Sequence, residues 1–354
     1  MNIEKRIEAF VRLGEFFRNV SSQNSEDQLL IKYSKKISEA IRESENINPW
    51  FTKLNIYNAI NSLSYMLDKN DIYDWISDYK HLIKEDKKPL KILVVMAGNI
   101  PVVGFHDFLC VLLSGNIFVG KLSSKDSLLL PLIAEVLIDI EPDFKNCIYF
   151  QKNNKIDYDA VISTGSNNTA RYFEYFYKGY PKIVRKNRMG VAVLTGKESV
   201  QNLKDLADDI FMYFGLGCRN VSKLFVPENY SFENLFYAFE SYNTLIKHQK
   251  YFNNYKYNKA VFNIDDIKYH DNGFALFKED ISFSTPISVV NFEYYNDINK
   301  LNTYLKFLKD KIQCIVSRDN AIENKIDFGL TQKPALSDYA DGVDTMEFLL
   351  NLPA

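Results

Sequence analysis

Apolar residues open the chain at helical spacing. Ile3, Ile7, Phe10 and Phe17 recur on one face, the period of an amphipathic helix. "NIYNAINSLSYML" repeats that pattern after Pro49, a residue suited to a helix start. The first 85 residues therefore predict helices, with "DKNDIYDW" and "KEDKKP" as polar breaks. The pattern then changes. "KILVVMAG" (91–98) is a short apolar run ending in glycine, as a buried strand does. "PVVGFHDFLCVLLSG" (101–115) predicts a helix that starts at Pro101 and closes on a glycine. "NIFVGKLS" predicts the next strand and "SLLLPLIAEVLID" the next helix. "NCIYF", "DAVISTG", "NTARYFEYFYK", "KIVRKN" and "GVAVLTG" continue the alternation.

Strands alternating with helices of this length imply parallel crossovers and an α/β sheet covered on both faces. Ligands of such sheets bind beyond the carboxyl ends of the strands. After a helix over 199–214, "VSKLFVPENY", "ISVVNFEYY" and "IQCIVSRD" predict strands of a second α/β lobe. The tail, 326–354, is acidic and ends in the apolar "MEFLLNL". The expected division is 1–205 for the N-terminal helices and a cofactor-binding α/β domain, 206–325 for a catalytic α/β domain, and 326–354 for a tail packing back.

Composition narrows the function classes. With 354 residues, 46% hydrophobic and 25% charged, the chain has material for a sizeable core. A net charge of −2 without a recurring basic block leaves no electrostatic footprint for nucleic acid. No apolar run approaches the roughly 20 residues of a membrane span. The charged start, "MNIEKRIEAF", does not suit a signal peptide. The four cysteines, at 110, 147, 218 and 314, are widely spaced, which suggests neither a metal site nor a disulfide framework. The expected setting is reducing and cytoplasmic. The many Tyr and Phe residues are explained by core packing; an aromatic-lined tunnel would need independent support.

Four stretches offer chemistry. In "MAGNIPVVGF", Asn99 stands at a strand-to-helix corner, where its amide could donate into a cleft or simply hold its own turn. In "GKLSSKDS", Lys121 ends a strand, either solvated or bonded to a nucleotide ribose or phosphate. In "VISTGSNNTARYF", Gly165 and Ser166 lie where a helix opens, so free N–H groups and the helix dipole favour phosphate. Ser166 or Asn167 also suits an N-cap. No GxGxxG is present, so a simple Rossmann dehydrogenase is disfavoured. In "FGLGCRN", Cys218 is flanked by Gly and Arg, unlike the other cysteines, which sit in apolar runs. Gly217 would let the chain turn, and neighbouring N–H groups with Arg219 would favour the nucleophilic thiolate. "VRKNR" suits a solvated strand edge or a contact to a carrier phosphate through Arg185 or Arg188.

In order, these stretches resemble the aldehyde dehydrogenase superfamily, and more closely its LuxC-type branch of fatty acyl-CoA reductases. "AGNIP" is similar to the superfamily's strand-end Asn-x-Pro, whose Asn donates to the oxyanion. "GKLSSKDSLLLP" resembles the Lys-containing adenosine-ribose segment, "VISTGSNNTA" the pyrophosphate segment, and "GLGC" the segment of the cysteine nucleophile. "DFGLTQKPALSDYADGVDTMEFLL" resembles the LuxC-type carboxyl end. The resemblance implies an aldehyde-dehydrogenase-like fold of two three-layer α/β lobes with an N-terminal helical region. It implies catalysis by Cys218 and Asn99, and a cofactor held by Lys121, Ser124, Gly165 and Ser166.

Two departures refine the expectation. Hydrolytic members carry a water-activating glutamate; here no carboxylate stands between Tyr180 and Gly196, which suits a thioester reductase. NAD-preferring members often have Glu three residues after the ribose-binding Lys; here that residue is Ser124, followed by Lys125, which favours a 2′-phosphate and hence NADPH. The implied reaction is reduction of an acyl-CoA or acyl-carrier thioester to an aldehyde. His106 is a proton-donor candidate by position only. The resemblance leaves room for a homo-oligomer or an acyl-transfer partner enzyme. It also leaves room for aldehyde oxidation, for acyl-phosphate reduction, and for a catalytically silent subunit that docks through its apolar tail.

Overall fold

Among the described residues, four helices precede the first strand: α1 (Ile3–Ser22), α2 (Gln28–Ile47), α3 (Lys53–Met66) and α4 (Lys69–Ser77). The computed structural model describes residues 1–22, 26–84, 87–151 and 156–353. The stretch expected as a polar break at 68–75 is in fact most of α4. Asp68 caps it by accepting from the Asn70 N–H, and Ile72, Trp75 and Ile76 supply its buried face. Three apolar positions among charged ones suffice for a short helix with one buried stripe. Glu85 and Asp86 of the second expected break lie outside the described residues.

The first sheet alternates with helices as its apolar runs predict: β1 (Lys91–Val95), α5 (Phe105–Leu113), β2 (Ile117–Lys121), α6 (Leu129–Ile140), β3 (Ile148–Phe150), β4 (Ala160–Thr164), α7 (Asn167–Phe176) and β5 (Lys182–Arg185). Its order is β3-β2-β1-β4-β5, with every pair parallel. Leu93, Val95, Val119 and Val161 pack on the α7 side with Phe173 and Tyr177. On the helical side, Phe10 meets Phe108 edge-on at 6.2 Å, and Phe17 meets Phe105 at 5.9 Å. Aromatic richness is thus spent on interlocked packing, which rewards such edge contacts beyond the area they bury.

The second sheet comprises β6 (Met189–Val193), β7 (Val221–Pro227), β8 (His270–Asp271), β9 (Leu276–Glu279), β10 (Val289–Tyr295), β11 (Ile312–Val316) and β12 (Lys325–Ile326). Its helices are α8 (Val200–Phe211), α9 (Glu233–Phe239), α10 (Gln249–Ile264) and α11 (Ile298–Phe307). The order is β12-β11-β6-β7-β10-β9-β8, parallel except for the short β8–β9 pair. Alternate residues serve opposite faces, as a strand requires. Ala192, Leu224 and Val226 meet Leu203, Leu206 and Ile210 of α8. Val191, Val193 and Phe225 meet Leu301 and Leu305 of α11. Each sheet therefore lies between helical layers.

The chain divides into two units, residues 1–186 with 333–354, and residues 187–332. That boundary precedes the 205/206 division read from the sequence. The reason is hydrogen bonding: β6 pairs with β7 and β11 and so belongs to the second sheet. "GVAVLTG" has the same apolar character as the strands before it, so periodicity alone could not assign it. The tail also splits, with only residues 333–354 returning to the first unit. There α12 (Thr345–Leu350) buries Met346, Leu349 and Leu350. The Tyr339 hydroxyl accepts from Trp75 Nε1 at 2.9 Å and lies 2.7 Å from the Tyr79 hydroxyl. The apolar tail is core, which removes it as a docking surface.

Arg185 fastens this return. It is 6% exposed, and neither a solvated edge nor a phosphate contact describes it. Nη1 donates to Asp107 Oδ2 of α5 at 2.5 Å, and Nη2 to Thr345 Oγ1 at 2.9 Å. Removing one partner strands the other charge in the core, which costs about 3–5 kcal/mol. Arg185→Ala should lose that much in urea unfolding; a variant of unchanged stability with only a raised KM would favour the phosphate contact instead.

Candidate functional site

In the first unit, three of the sequence segments leave one edge of the sheet side by side. Val95 pairs with Lys121 on one flank and with Ser163 on the other. The loops after β1, β2 and β4 therefore emerge at the carboxyl edge. They do so where the strand order reverses, the usual ligand position in a doubly wound sheet.

Asn99 lies half-buried in the loop after β1. Pro101 does not start a helix, since α5 begins only at Phe105. Residues 101–104 form a turn instead, with Val102 at φ 52°, because the loop bends to meet the segment after β2. A Cβ on Gly98 would stand 2.5 Å from Ser123 Oγ and 2.8 Å from Ser123 Cβ; the close approach of the two loops is what requires glycine there. The Gly98 carbonyl accepts from Asn48 Nδ2 at 3.4 Å. The Val102 N–H donates to Asp126 Oδ2 at 2.8 Å.

Lys121, the last residue of β2, is exposed, and its carbonyl accepts from the Met96 N–H at 3.1 Å. Ser124 is exposed in the turn that follows, closed by the Asp126 N–H on the Ser123 carbonyl. Ser166 is the N-cap of α7, with Oγ accepting from the Thr169 N–H at 3.3 Å. A Cβ on Gly165 would lie 2.9 Å from Thr169. Gly165 and Ser166 thus each have a local structural cause, and they also leave a ten-residue helix with its N-terminus at the carboxyl edge. That end offers N–H donors to an anion. Beneath it, the buried Ser163 Oγ has no hydrogen-bond partner. An ammonium group, two hydroxyls, a helix N-terminus and one unsatisfied hydroxyl fit a dinucleotide's ribose and phosphates.

In the second unit, Cys218 sits on the link between α8 and β7. The expected helix to 214 stops at Phe211. Tyr213, Phe214 and Gly215 then adopt left-handed backbone at φ 54°, 59° and 74°, so the turn expected at Gly217 begins earlier. Left-handed backbone costs a non-glycine residue about 1–2 kcal/mol. Burial of both rings offsets it, with Phe214 4.5 Å from the His248 ring and 5.9 Å from Tyr251. Asn220, 2% exposed, ties the link together. Its Nδ2 donates to the carbonyls of Asp209 and Met212, each at 3.0 Å, and Oδ1 accepts from the Gly217 N–H at 2.8 Å. Arg219 Nε donates to the Thr331 carbonyl at 2.6 Å.

Cys218 is half-buried, as Cys147 is, and all four cysteines are outside disulfides. Burial pushes the Cys110 thiol well up, and the Cys147 thiol up as well, away from thiolate. Cys314 is buried, with Sγ donating to the Arg219 carbonyl at 3.5 Å. His106 packs against Trp75 and Tyr339, with Nε2 2.9 Å from the Leu336 carbonyl. Burial lowers its pKa, which disfavours the charged form. It anchors the returning tail rather than standing ready as a proton donor.

Sequence inspection missed Asp126, Asp209 and Asn220, the side chains that hold the two loops. Asp209 accepts from the Gly329 N–H at 2.7 Å and the Thr331 N–H at 3.0 Å. The only available signal was a polar residue inside an apolar run, as in "KDSLLLP" or "ADDIF".

The family model described as acyl-CoA reductase (LuxC) matches residues 2–236. No curated protein matches in sequence. Solved structures share the fold. An aldehyde dehydrogenase of Physcomitrella patens, complexed with succinate, aligns with TM-score 0.66 and 11% identity, over 99% of this chain and 84% of that one. An aldehyde dehydrogenase of Bacillus cereus, in complex with NAD+, aligns with TM-score 0.60 and 12% identity, over 90% and 73%. One of Pseudomonas syringae, with NAD+ and octanal, aligns with TM-score 0.56 and 12% identity, over 86% and 70%. Two α/β sheets with an N-terminal helical region are thus an aldehyde-dehydrogenase-like fold.

Burial pushes the Asp209 carboxyl up to about 6, opposed by the N–H groups it accepts from. A buried carboxyl with a raised pKa binds its proton more tightly folded than unfolded. Stability from this group is therefore present at low pH and falls as pH rises from about 4 to 6. Relative to wild type, Asp209→Asn should be more favourable at pH 7 than at pH 4 by up to about 3 kcal/mol in urea unfolding. A difference independent of pH across that window would contradict this.

Proposed function

Because the chain belongs to the acyl-CoA reductase (LuxC) family, we propose that it reduces a fatty acyl thioester, carried on CoA or an acyl carrier, to the aldehyde with NADPH. The observation that carries this is the setting of Cys218: of the four cysteines, it alone stands on a constrained, glycine-bearing turn beside an arginine. The thiolate of a cysteine is the form that attacks a thioester carbonyl.

Cys218 Sγ attacks the carbonyl carbon, and the carrier thiolate leaves. Asn99 Nδ2 and the Cys218 backbone N–H donate to the tetrahedral oxyanion, donors whose loss costs roughly 10²–10³ in rate. Lys121, Ser124, Gly165 and Ser166 would hold the dinucleotide, which would supply the hydride that reduces the Cys218-bound acyl group. Collapse of the resulting hemithioacetal releases the aldehyde and returns Cys218 to its thiolate. Water should compete poorly. The stretch from Tyr180 to Gly196 carries no carboxylate, and the next one, Glu198, is engaged by Thr195 and by the Gly196 N–H.

The solved structures with NAD+, one of them with octanal, support a nicotinamide cofactor and an aliphatic substrate. Ser124 followed by Lys125, both exposed, supports preference for the 2′-phosphate, since a positive charge beside a phosphate is attractive and a carboxylate would be repulsive.

Cys218→Ala should abolish acyl-CoA-dependent NADPH oxidation while NADPH affinity stays within about threefold of wild type; full activity in that variant would overturn the proposal. At saturating acyl-CoA, kcat/KM for NADPH should exceed that for NADH by about tenfold or more, as one favourable charge contact of about 1.4 kcal/mol would give. Preference for NADH would refute the role given to Ser124 and Lys125.

A further inference from the structure

Asp126 is buried in the segment that carries the cofactor-facing residues, yet it serves the loop of Asn99. Its Oδ2 accepts from the Val102 N–H at 2.8 Å, while Oδ1 is buried without a hydrogen-bond partner. Val102 is held in left-handed backbone, at φ 52°. For a β-branched residue this conformation is rare and strained, so the surroundings must enforce it. The same two loops touch again at Gly98, whose missing side chain admits Ser123. Asn99 is therefore bracketed, one residue after the first contact and three before the second. The Asp126 N–H closes onto the Ser123 carbonyl at 3.1 Å, so both contacts come from one rigid turn.

We propose that Asp126 is a positioning residue: by holding the Val102 N–H, it fixes the loop that aims the Asn99 amide at the reacting carbonyl. This rests on the oxyanion role given to Asn99 above. A buried carboxylate is a costly choice where an apolar residue would pack. Burial pushes its carboxyl up to about 6, against the pull of the Val102 N–H. The cost is explained if the carboxylate enforces a strained turn that packing alone would not hold. The turn also carries Ser124, so displacement of the cofactor segment would be felt at the oxyanion donor.

Asp126→Leu fills the space, removes the acceptor and should fold. Asp126→Asn keeps an acceptor oxygen. With a medium-chain acyl-CoA and NADPH, Asp126→Leu should lower kcat by about ten- to hundredfold, the scale of a small misplacement of a catalytic group, with KM for the thioester within about threefold. Asp126→Asn should restore kcat to within about threefold of wild type. Combined with Asn99→Ala, Asp126→Leu should add less than twofold, because both act through one amide. Hydrogen exchange in peptides covering 96–104 should be faster in Asp126→Leu, with 105–113 unchanged. Wild-type kcat in folded Asp126→Leu, or losses that multiply in the double variant, would overturn the positioning role while leaving the reductase reading intact. If wild type itself turns over no acyl-CoA, the reductase reading fails, and exchange over 96–104 alone decides: faster exchange supports the tether, unchanged exchange refutes it.

Discussion

One side-chain amide sets the geometry around the candidate nucleophile. A helix ends with carbonyls that have no partner inside it. At the end of α8, the amide of Asn220 takes the carbonyl of Asp209 and that of Met212, the residue after the helix, and its oxygen takes the Gly217 N–H. Leaving such groups orphaned in the core would cost roughly 1–3 kcal/mol each. Those bonds force the chain to fold back through Tyr213, Phe214 and Gly215 instead of running on as helix. β7 then starts directly after Asn220, so Cys218 is fixed from both sides, by the knot and by the sheet. The close approach continues at Gly190, where a Cβ would lie 2.7 Å from the Arg219 carbonyl.

The first unit solves the same problem by similar means. Asn99 belongs to no helix or strand, and the groups that place it come from elsewhere: Asn48 on the Gly98 carbonyl, and Asp126 on the Val102 N–H. Loops carry chemistry well only when a rigid scaffold fixes them. In both units that fixing is done by buried polar side chains, whose hydrogen bonds are directional where apolar contacts are not. Their own desolvation opposes the fold, as the raised carboxyls of Asp126 and Asp209 register.

Much of this was legible beforehand. The apolar runs at 91–95, 117–121 and 160–164 became parallel strands, and Gly98, Lys121 and Gly165 fell at their carboxyl ends. Periodicity suffices there because a strand buried on both faces is apolar throughout. It failed at 68–75, where one narrow stripe of Ile72, Trp75 and Ile76 sustains a helix among charges. It failed again at 101–104 and 212–215, where left-handed Val102, Tyr213 and Phe214 follow from tertiary hydrogen bonds and no local propensity announces them. Arg185 was misjudged for the same reason: its partners Asp107 and Thr345 lie 78 and 160 residues away.

Cys218 as the acyl acceptor is the claim on which the chemistry stands. Intact-mass measurement of the full chain, mixed with acyl-CoA of several lengths and no NADPH, tests it most directly. The account predicts one added acyl group, mapped by peptide analysis to Cys218 and absent from Cys218→Ser. Turnover on NADPH addition without any such adduct, or an adduct on Cys110, Cys147 or Cys314 instead, would contradict it.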